Sequence, residues 1–178
     1  MILGIAGKMR SGKSTFATFM ADLLPSDRAS FASPIKRIAT EITGKEIKDE
    51  NKEQIRPLLQ AIGETCKALH GQDYWLRILA TVWREQIESQ ARWVIVDDVR
   101  TLVEAQWIID QGGHVVRVVR PETDCLASDH VSERSVDGIT PDTVVVNTQG
   151  LWELKREAEN LSTKLQYDGH SIVSGPVL

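Results

Sequence analysis

Cysteine is scarce in this chain: there are two, Cys66 and Cys125, far apart in the sequence. Two isolated thiols build neither a disulfide framework nor a zinc cluster, so reduced cysteines in a cytosolic protein are expected. Long apolar runs are missing too. No stretch approaches the roughly 18 consecutive apolar residues of a membrane-spanning helix. Met1 to Lys13 passes from a short apolar segment straight into a glycine loop. With no basic stretch ahead of a long apolar core, no export leader is expected. Positive charge has no surplus: 21 Lys and Arg face 25 Asp and Glu, a net charge of −4. That argues against an extended footprint on a nucleic-acid polymer. A small anionic ligand needs only a local basic cluster and stays open. Internal repeats and low-complexity tracts are absent. What remains is ordinary for a soluble globule: 42% apolar and 26% charged residues, too apolar for disorder. A length of 178 residues suits one compact domain, or one with a mobile insert.

Strands and helices alternate. Ile2 to Ala6 reads as a buried strand. Lys13 to Leu24 places Phe16, Phe19, Met20 and Leu23 on one helical face, with Pro25 just beyond. Ala29 to Ala32 reads as a second strand, and Pro34 opens a helix through Ile42. After a polar stretch from Gly44 to Lys52, helical spacing returns from Ile55 to Leu69 and stops at Gly71. Asp73 suits the N-cap of a further helix reaching Ile87. Trp93 to Val96 is a strand closed by Asp97 and Asp98. Leu102 to Ile109 reads as a helix, His114 to Val119 as a strand and Val144 to Val146 as the last strand. From Pro121 to Asp142 the composition is polar and without period. Leu151 to Leu165 makes a final amphipathic helix, and the tail from Gln166 carries no signal. This alternation predicts an α/β fold, a mostly parallel sheet covered on both faces. Such sheets bind ligands beyond the carboxyl ends of their strands.

Gly7-Lys8-Met9-Arg10-Ser11-Gly12-Lys13-Ser14 fits G-x-x-x-x-G-K-[ST] without a mismatch. The glycines let the backbone turn tightly and approach phosphates. The loop amides and the start of the next helix form a nest for anionic oxygens. Lys13 brings a mobile point charge to the β and γ phosphates. The Ser14 hydroxyl suits a ligand position on Mg²⁺, and Thr15 offers a second hydroxyl. An acidic residue ending the neighbouring strand can also hold Mg²⁺. The strand period of two sends Asp97 and Asp98 to opposite sides, so one of them is expected to face the metal.

Phosphoryl transfer also needs cations to neutralise charge on the transferring group. Arg100 and Arg120 are favoured because each follows the end of a strand; Arg56, Arg77, Arg117, Arg134 and Lys36 are further candidates. Of the five tryptophans, Trp83, Trp93, Trp107 and Trp152 are expected in the core. Trp75, at a helix start, is placed to stack on a base. His130 stands alone in the polar segment, with no second histidine at ligand spacing.

Taken together, these residues resemble the phage deoxynucleoside monophosphate kinases, over roughly residues 2 to 165. The marks are Gly7 to Ser14 followed by Thr15, then Phe31-Ala32-Ser33-Pro34-Ile35-Lys36, then Arg56 with Leu59-Gln60 and Gly63. Asp73-Tyr74-Trp75, Asp98-Val99-Arg100 with Glu104, His130-Val131-Ser132-Glu133 and Val146-Asn147 complete them. The resemblance implies a P-loop kinase three-layer sandwich with a doubly wound, mostly parallel five-stranded sheet. It implies a kinase domain over 1–165, acceptor-binding helices over about 34–90, a lid over about 121–142 and a tail over 166–178. ATP and Mg²⁺ would be the cofactors. Gly7, Lys8, Arg10, Ser11, Gly12, Lys13, Ser14 and Thr15 would hold the donor phosphates, with Asn147 near the adenine. Asp98 matches the family aspartate and would organise Mg²⁺ with Ser14. Lys36, Arg56, Gln60, Trp75, Arg100 and Glu133 would line the acceptor pocket, and Arg120 and Arg134 would serve the transferring group from the lid. The partner would be a small nucleotide, not a nucleic-acid polymer or a membrane. The setting would be cytoplasmic, the host's if phage-encoded, and a homodimer is compatible. One departure is Asp97, where relatives often carry a small residue.

Animal-type phosphomevalonate kinases are similar as well, which makes a non-nucleotide phosphate the rival acceptor. A nucleotide-switched binding protein is disfavoured, because the chain lacks Asn-Lys-x-Asp, and Gly71-Gln72 offers no Asp-x-x-Gly.

Overall fold

The structure is a computed structural model, and it describes residues 1–87, 93–124 and 135–172. The chain divides into two compact units, one of Met1–Arg28 with Ala91–Leu178 and one of Ala29–Gln90.

The first unit is built on five strands: β1 (Ile2–Ala6), β2 (Ser26–Ala29), β3 (Trp93–Val99), β4 (His114–Val119) and β5 (Thr143–Val146). Their order in the sheet is β2-β3-β1-β4-β5. β1 runs parallel to both β3 and β4, and β4 runs parallel to β5. The strands read as continuous apolar runs because both faces are covered. On one face α1 (Lys13–Leu23) and the last helix pack over Leu3, Ile5, Ile95, Val116 and Val118. Fully buried Phe16 and Met20 fill this layer, each contributing roughly 1.5–3 kcal/mol through its burial. On the other face Ile108, from the helix Leu102–Asp110, sits so close over Gly4 that a Cβ there would lie 2.5 Å from its Cδ1.

Helix α1 ends one residue before the expected Leu24, whose backbone is already extended (φ −115, ψ 142). Pro25 restricts the residue before it to that region. The second strand lies three residues earlier than the expected Ala29–Ala32. Ser30 explains the shift, because its carbonyl accepts from Ser33 N and its hydroxyl from Ala32 N. These bonds form a turn where a strand was expected.

The second unit holds α2 (Ser33–Thr43), α3 (Asp49–His70) and α4 (Tyr74–Ile87). Asp73 precedes α4 as expected, but its carboxylate takes the Arg77 guanidinium at 2.9 and 3.0 Å. Pro57 lies inside α3, where a proline removes a helical hydrogen bond.

Back in the first unit, α5 (Leu102–Asp110) follows β3, and α6 (Pro121–Asp124) follows β4. Among the described residues of the polar stretch to Asp142, Val136 and Ile139 are buried. The last helix, α7 (Leu151–Ile172), continues seven residues past the expected Leu165, so the segment from Gln166 starts as helix and not as tail.

Candidate functional site

The loop from Gly7 to Ser14 joins β1 to α1 with a backbone that few residues tolerate. Gly7 has φ 148, and a Cβ on it would fall 2.4 Å from the Val118 carbonyl oxygen. Gly12 has φ 105 and forms the N-cap of α1 without any side-chain cap. Arg10 takes the left-handed region at φ 63, the only non-glycine to do so among the described residues. With no side-chain cap among the described residues, the first turn of α1 suits an anionic ligand. Ser11 Oγ is buried and has no hydrogen-bond partner among the described residues. Lys13 Nζ donates to the Lys8 carbonyl at 2.5 Å, which folds the lysine back over the loop.

Beside the loop lies a cleft of about 420 Å³. One part is cationic, with Arg10, Lys13 and Arg120, and carries the Ser14 and Thr15 hydroxyls. The remainder is formed by Asn147, Gly150, Leu151 and Leu154. A lining that combines cations, hydroxyls and leucines suits a ligand that carries both phosphates and an apolar ring. Asn147 is buried and holds the two walls together. Its Nδ2 donates to the Ser11 carbonyl at 2.9 Å, and its Oδ1 accepts from Gly150 N at 3.1 Å. Glu153 stiffens the same corner by accepting from the amides of Thr148 and Gln149 and from the Thr148 hydroxyl. Those amide bonds, Gln149's above all, hold its carboxyl below the usual range. A carboxyl whose pKa falls on folding adds stability above its unfolded pKa and loses it as pH drops through the folded value. The melting-temperature gap between the wild type and Glu153→Gln should therefore narrow as pH falls from 7 towards about 3. A gap independent of pH would refute this role.

At the end of β3 the two aspartates are not equivalent. Between Gly4 and Ala6 on β1, β3 advances from Val96 to Val99, one residue more than β1. Such a bulge breaks simple alternation and re-aims side chains. Asp97 forms an ion pair with Arg28 of β2, and that arginine also reaches the Thr18 hydroxyl. Asp98 is half-buried on the next position. Beyond it, Glu104 accepts from the amides of Arg100 and Thr101 at 2.7 and 2.9 Å, while Thr101 Oγ1 accepts from Glu104 N. This capping box starts α5 and fixes the backbone that carries the exposed Arg100 side chain. Arg120 donates to Glu122 at 2.9 and 3.0 Å.

Within the second unit, Arg56 pairs with Glu53 on α3, Gln60 is exposed on the same helix, and Lys36 is half-buried on α2. Trp75, expected to offer a face to a base, is instead packed: it is 5% exposed and its indole N–H donates to the Gly63 carbonyl at 3.1 Å. Trp152, expected in the core, is 62% exposed, with the Arg156 guanidinium 4.9 Å over its ring. That position on α7 belongs to its solvent face, next to exposed Leu151. Glu133, Arg134 and His130 lie outside the described residues.

Two acidic positions escaped the sequence reading. Glu153 had a signal, since acidic residues are enriched in the first turn of a helix. Asp137 had none, because its partners Lys8 and Arg117 are remote in sequence. Among the described residues no three His, Cys, Asp or Glu side chains cluster to cage a metal. Mg²⁺ normally binds through one or two protein ligands plus phosphates, so Ser14 with an aspartate fits it. No described helix is long and apolar enough to cross a membrane.

The family described as deoxynucleotide monophosphate kinase matches residues 37–158. A deoxynucleotide monophosphate kinase of Escherichia phage RB69 is 29% identical over 108 residues, which cover 60% of this chain and 44% of that protein. The chain thus spans less than half of that relative. A protein of Acanthamoeba polyphaga mimivirus, provisionally given the same name, is 27% identical over 183 residues, covering 86% of this chain and 91% of its own. Among solved structures, dephospho-CoA kinase from Campylobacter jejuni has a TM-score of 0.58 at 14% identity, covering 94% of this chain and 98% of its own. A Thermus thermophilus protein has a TM-score of 0.55 at 19% identity, covering 93% and 97%. These two likenesses show the fold.

Proposed function

Because the chain belongs to the deoxynucleotide monophosphate kinase family, we propose that it transfers the γ-phosphoryl group of ATP to a (deoxy)nucleoside 5′-monophosphate, giving the diphosphate. The observation that carries this reading is the start of α1, without a side-chain cap, with Lys13 and Ser14 in a cleft that is lined by cations, hydroxyls and leucines. The amides from Gly12 to Thr15 would bind the β and γ phosphates, and the Leu151 side of the cleft would take the adenine. Asn147 would act there by keeping the loop and the adenine side in register.

Ser14 and Asp98 would hold Mg²⁺, which supplies charge neutralisation across the donor phosphates. The pairing of Asp97 with Arg28 supports Asp98 as the metal residue. Lys13 would follow the developing charge on the transferring group. Arg120 would assist it after leaving Glu122, and Arg134 would add a further cation. Arg100, Lys36, Arg56, Gln60 and Glu133 would orient the acceptor, with Trp75 acting from behind as packing. The attacking oxygen already carries negative charge at neutral pH, so no side chain needs to remove a proton. The setting would be the host cytoplasm and the partner a small nucleotide.

ADP formation from ATP and Mg²⁺, measured against every common ribo- and deoxyribonucleoside monophosphate and phosphomevalonate, tests the proposal. Turnover with at least one nucleoside monophosphate well above acceptor-free hydrolysis is expected. Turnover with phosphomevalonate alone would reassign the acceptor, and hydrolysis unaffected by any acceptor would overturn the reading.

A further inference from the structure

Beside the phosphate loop, three charged side chains from three separate parts of the first unit converge, and Lys8 of the loop is one of them. Asp137 lies 3.2 Å from Lys8 Nζ and 2.6 Å from Arg117 Nη2. The two cations are largely sequestered, with side chains 11% and 14% exposed, whereas Asp137 is 49% exposed. The backbone around Asp137 is anchored. Val136 and Ile139 on either side are buried, and the turn is closed by bonds from Gly138 N to Ser135 O and from Ile139 N to Val136 O. Arg117 is equally fixed, in β4, where it faces Ala6 of β1 and Val144 of β5 in the register.

Lys8 is where this network meets the loop. Its carbonyl accepts from Lys13 Nζ at 2.5 Å and from Ser11 N at 3.2 Å, so the Lys8 peptide closes the loop on itself. Its side chain is tethered at the other end by Asp137. We propose that Asp137 is a positioning residue for donor binding: it pins Lys8, and through the Lys8 carbonyl it sets the loop and the resting place of Lys13. The inference rests on the donor-site reading above and extends it to a residue remote from the loop in sequence.

The energetics favour a role larger than that of an ordinary surface pair. Exposed ion pairs contribute little. Here one carboxylate serves two cations that are mostly out of water, and removing it takes a close opposite charge from each. Without Asp137 the Lys8 stem loses its tether beside the peptide that closes the loop. Burial would raise the Asp137 pKa, but the hydrogen bonds and charges of Lys8 and Arg117 outweigh it and hold the carboxyl below the usual value. The group thus stays charged at neutral pH.

The test is Asp137→Asn, which keeps shape and removes charge. MgATP affinity is read by calorimetry without any acceptor, and kcat and both KM values are read in the coupled assay. The expected result is an MgATP Kd raised about tenfold or more, a lowered kcat, an unchanged acceptor KM and recovery in Asp137→Glu. Should Asp137→Asn unfold, Lys8→Met and the double variant Lys8→Met with Asp137→Asn replace it. The double variant should then bind MgATP no worse than Lys8→Met alone. Wild-type MgATP affinity in Asp137→Asn, or a double variant weaker than the single, overturns the inference. Because calorimetry needs no acceptor, failure of the kinase reading would show separately, as a wild type that binds MgATP and phosphorylates nothing.

Discussion

Lys13→Ala is expected to lower kcat/KM by roughly a thousandfold or more while the protein still folds. A loss of that size corresponds to about 4 kcal/mol of transition-state stabilisation. The reason lies in what Lys13 touches. Without ligand its ammonium donates to the Lys8 carbonyl, an interaction that stabilises the loop by roughly 1.5–3 kcal/mol. With a triphosphate in the cleft, a point charge on a mobile stem can follow the γ-phosphoryl group as its charge spreads. The folded state makes no comparable demand, since the core beneath the loop is formed by Leu3, Ile5, Phe16 and their neighbours. Circular dichroism should therefore change little, and melting temperature only modestly, while turnover collapses. Turnover within tenfold of the wild type would remove the loop from the mechanism. Lys13→Arg makes a sharper control, because it keeps the charge but replaces a compact ammonium by a wide fork in a tight glycine turn, and most of the loss should persist.

The parts of this fold legible in the sequence are those set by local chemistry. The loop could be read because its glycines answer a backbone demand, visible in the collision a Cβ at Gly7 would make with the Val118 carbonyl. The buried strands could be read because parallel strands covered on both faces are uniformly apolar, and His114–Val119 was located to the residue. The edge strand Ser26–Ala29 was misplaced for the converse reason: its burial is intermediate to exposed, so it has no apolar run. Trp75 and Trp152 show what composition cannot distinguish. Both stand at helix starts, yet one is 5% and the other 62% exposed, and the difference is set by which helix face meets a neighbour. The two aspartates after Val96 were left open by the period of two. They are separated by a bulge in β3 and by Arg28, a residue almost seventy positions away, and neither leaves a trace in the local sequence. The same holds for the Asp137 network, whose members meet only after the sheet has formed.

Arg100→Ala is expected to reduce kcat/KM by roughly a hundred- to a thousandfold, with stability nearly unchanged. The side chain is exposed, so truncation opens no cavity. The backbone beneath it is held independently of the guanidinium, by Glu104 accepting from the Arg100 and Thr101 amides. That separation lets kinetics be read as chemistry and not as misfolding. It also allows two roles to be told apart. If the fork grips the acceptor phosphate equally in ground and transition states, the acceptor KM rises and kcat holds. If it serves the transferring group, kcat and kcat/KM fall together. Arg100→Lys should recover only a minor part of either loss, because a single ammonium cannot engage two oxygens at once. Glu104→Gln gives the complementary measurement. It weakens the cap without touching the guanidinium, so it should lower the melting temperature and leave kcat/KM much closer to the wild type than Arg100→Ala does. An effect of Arg100→Ala below about 1 kcal/mol on kcat/KM would take the residue out of the site. The carboxyl end of β3 would then contribute through Asp98 alone.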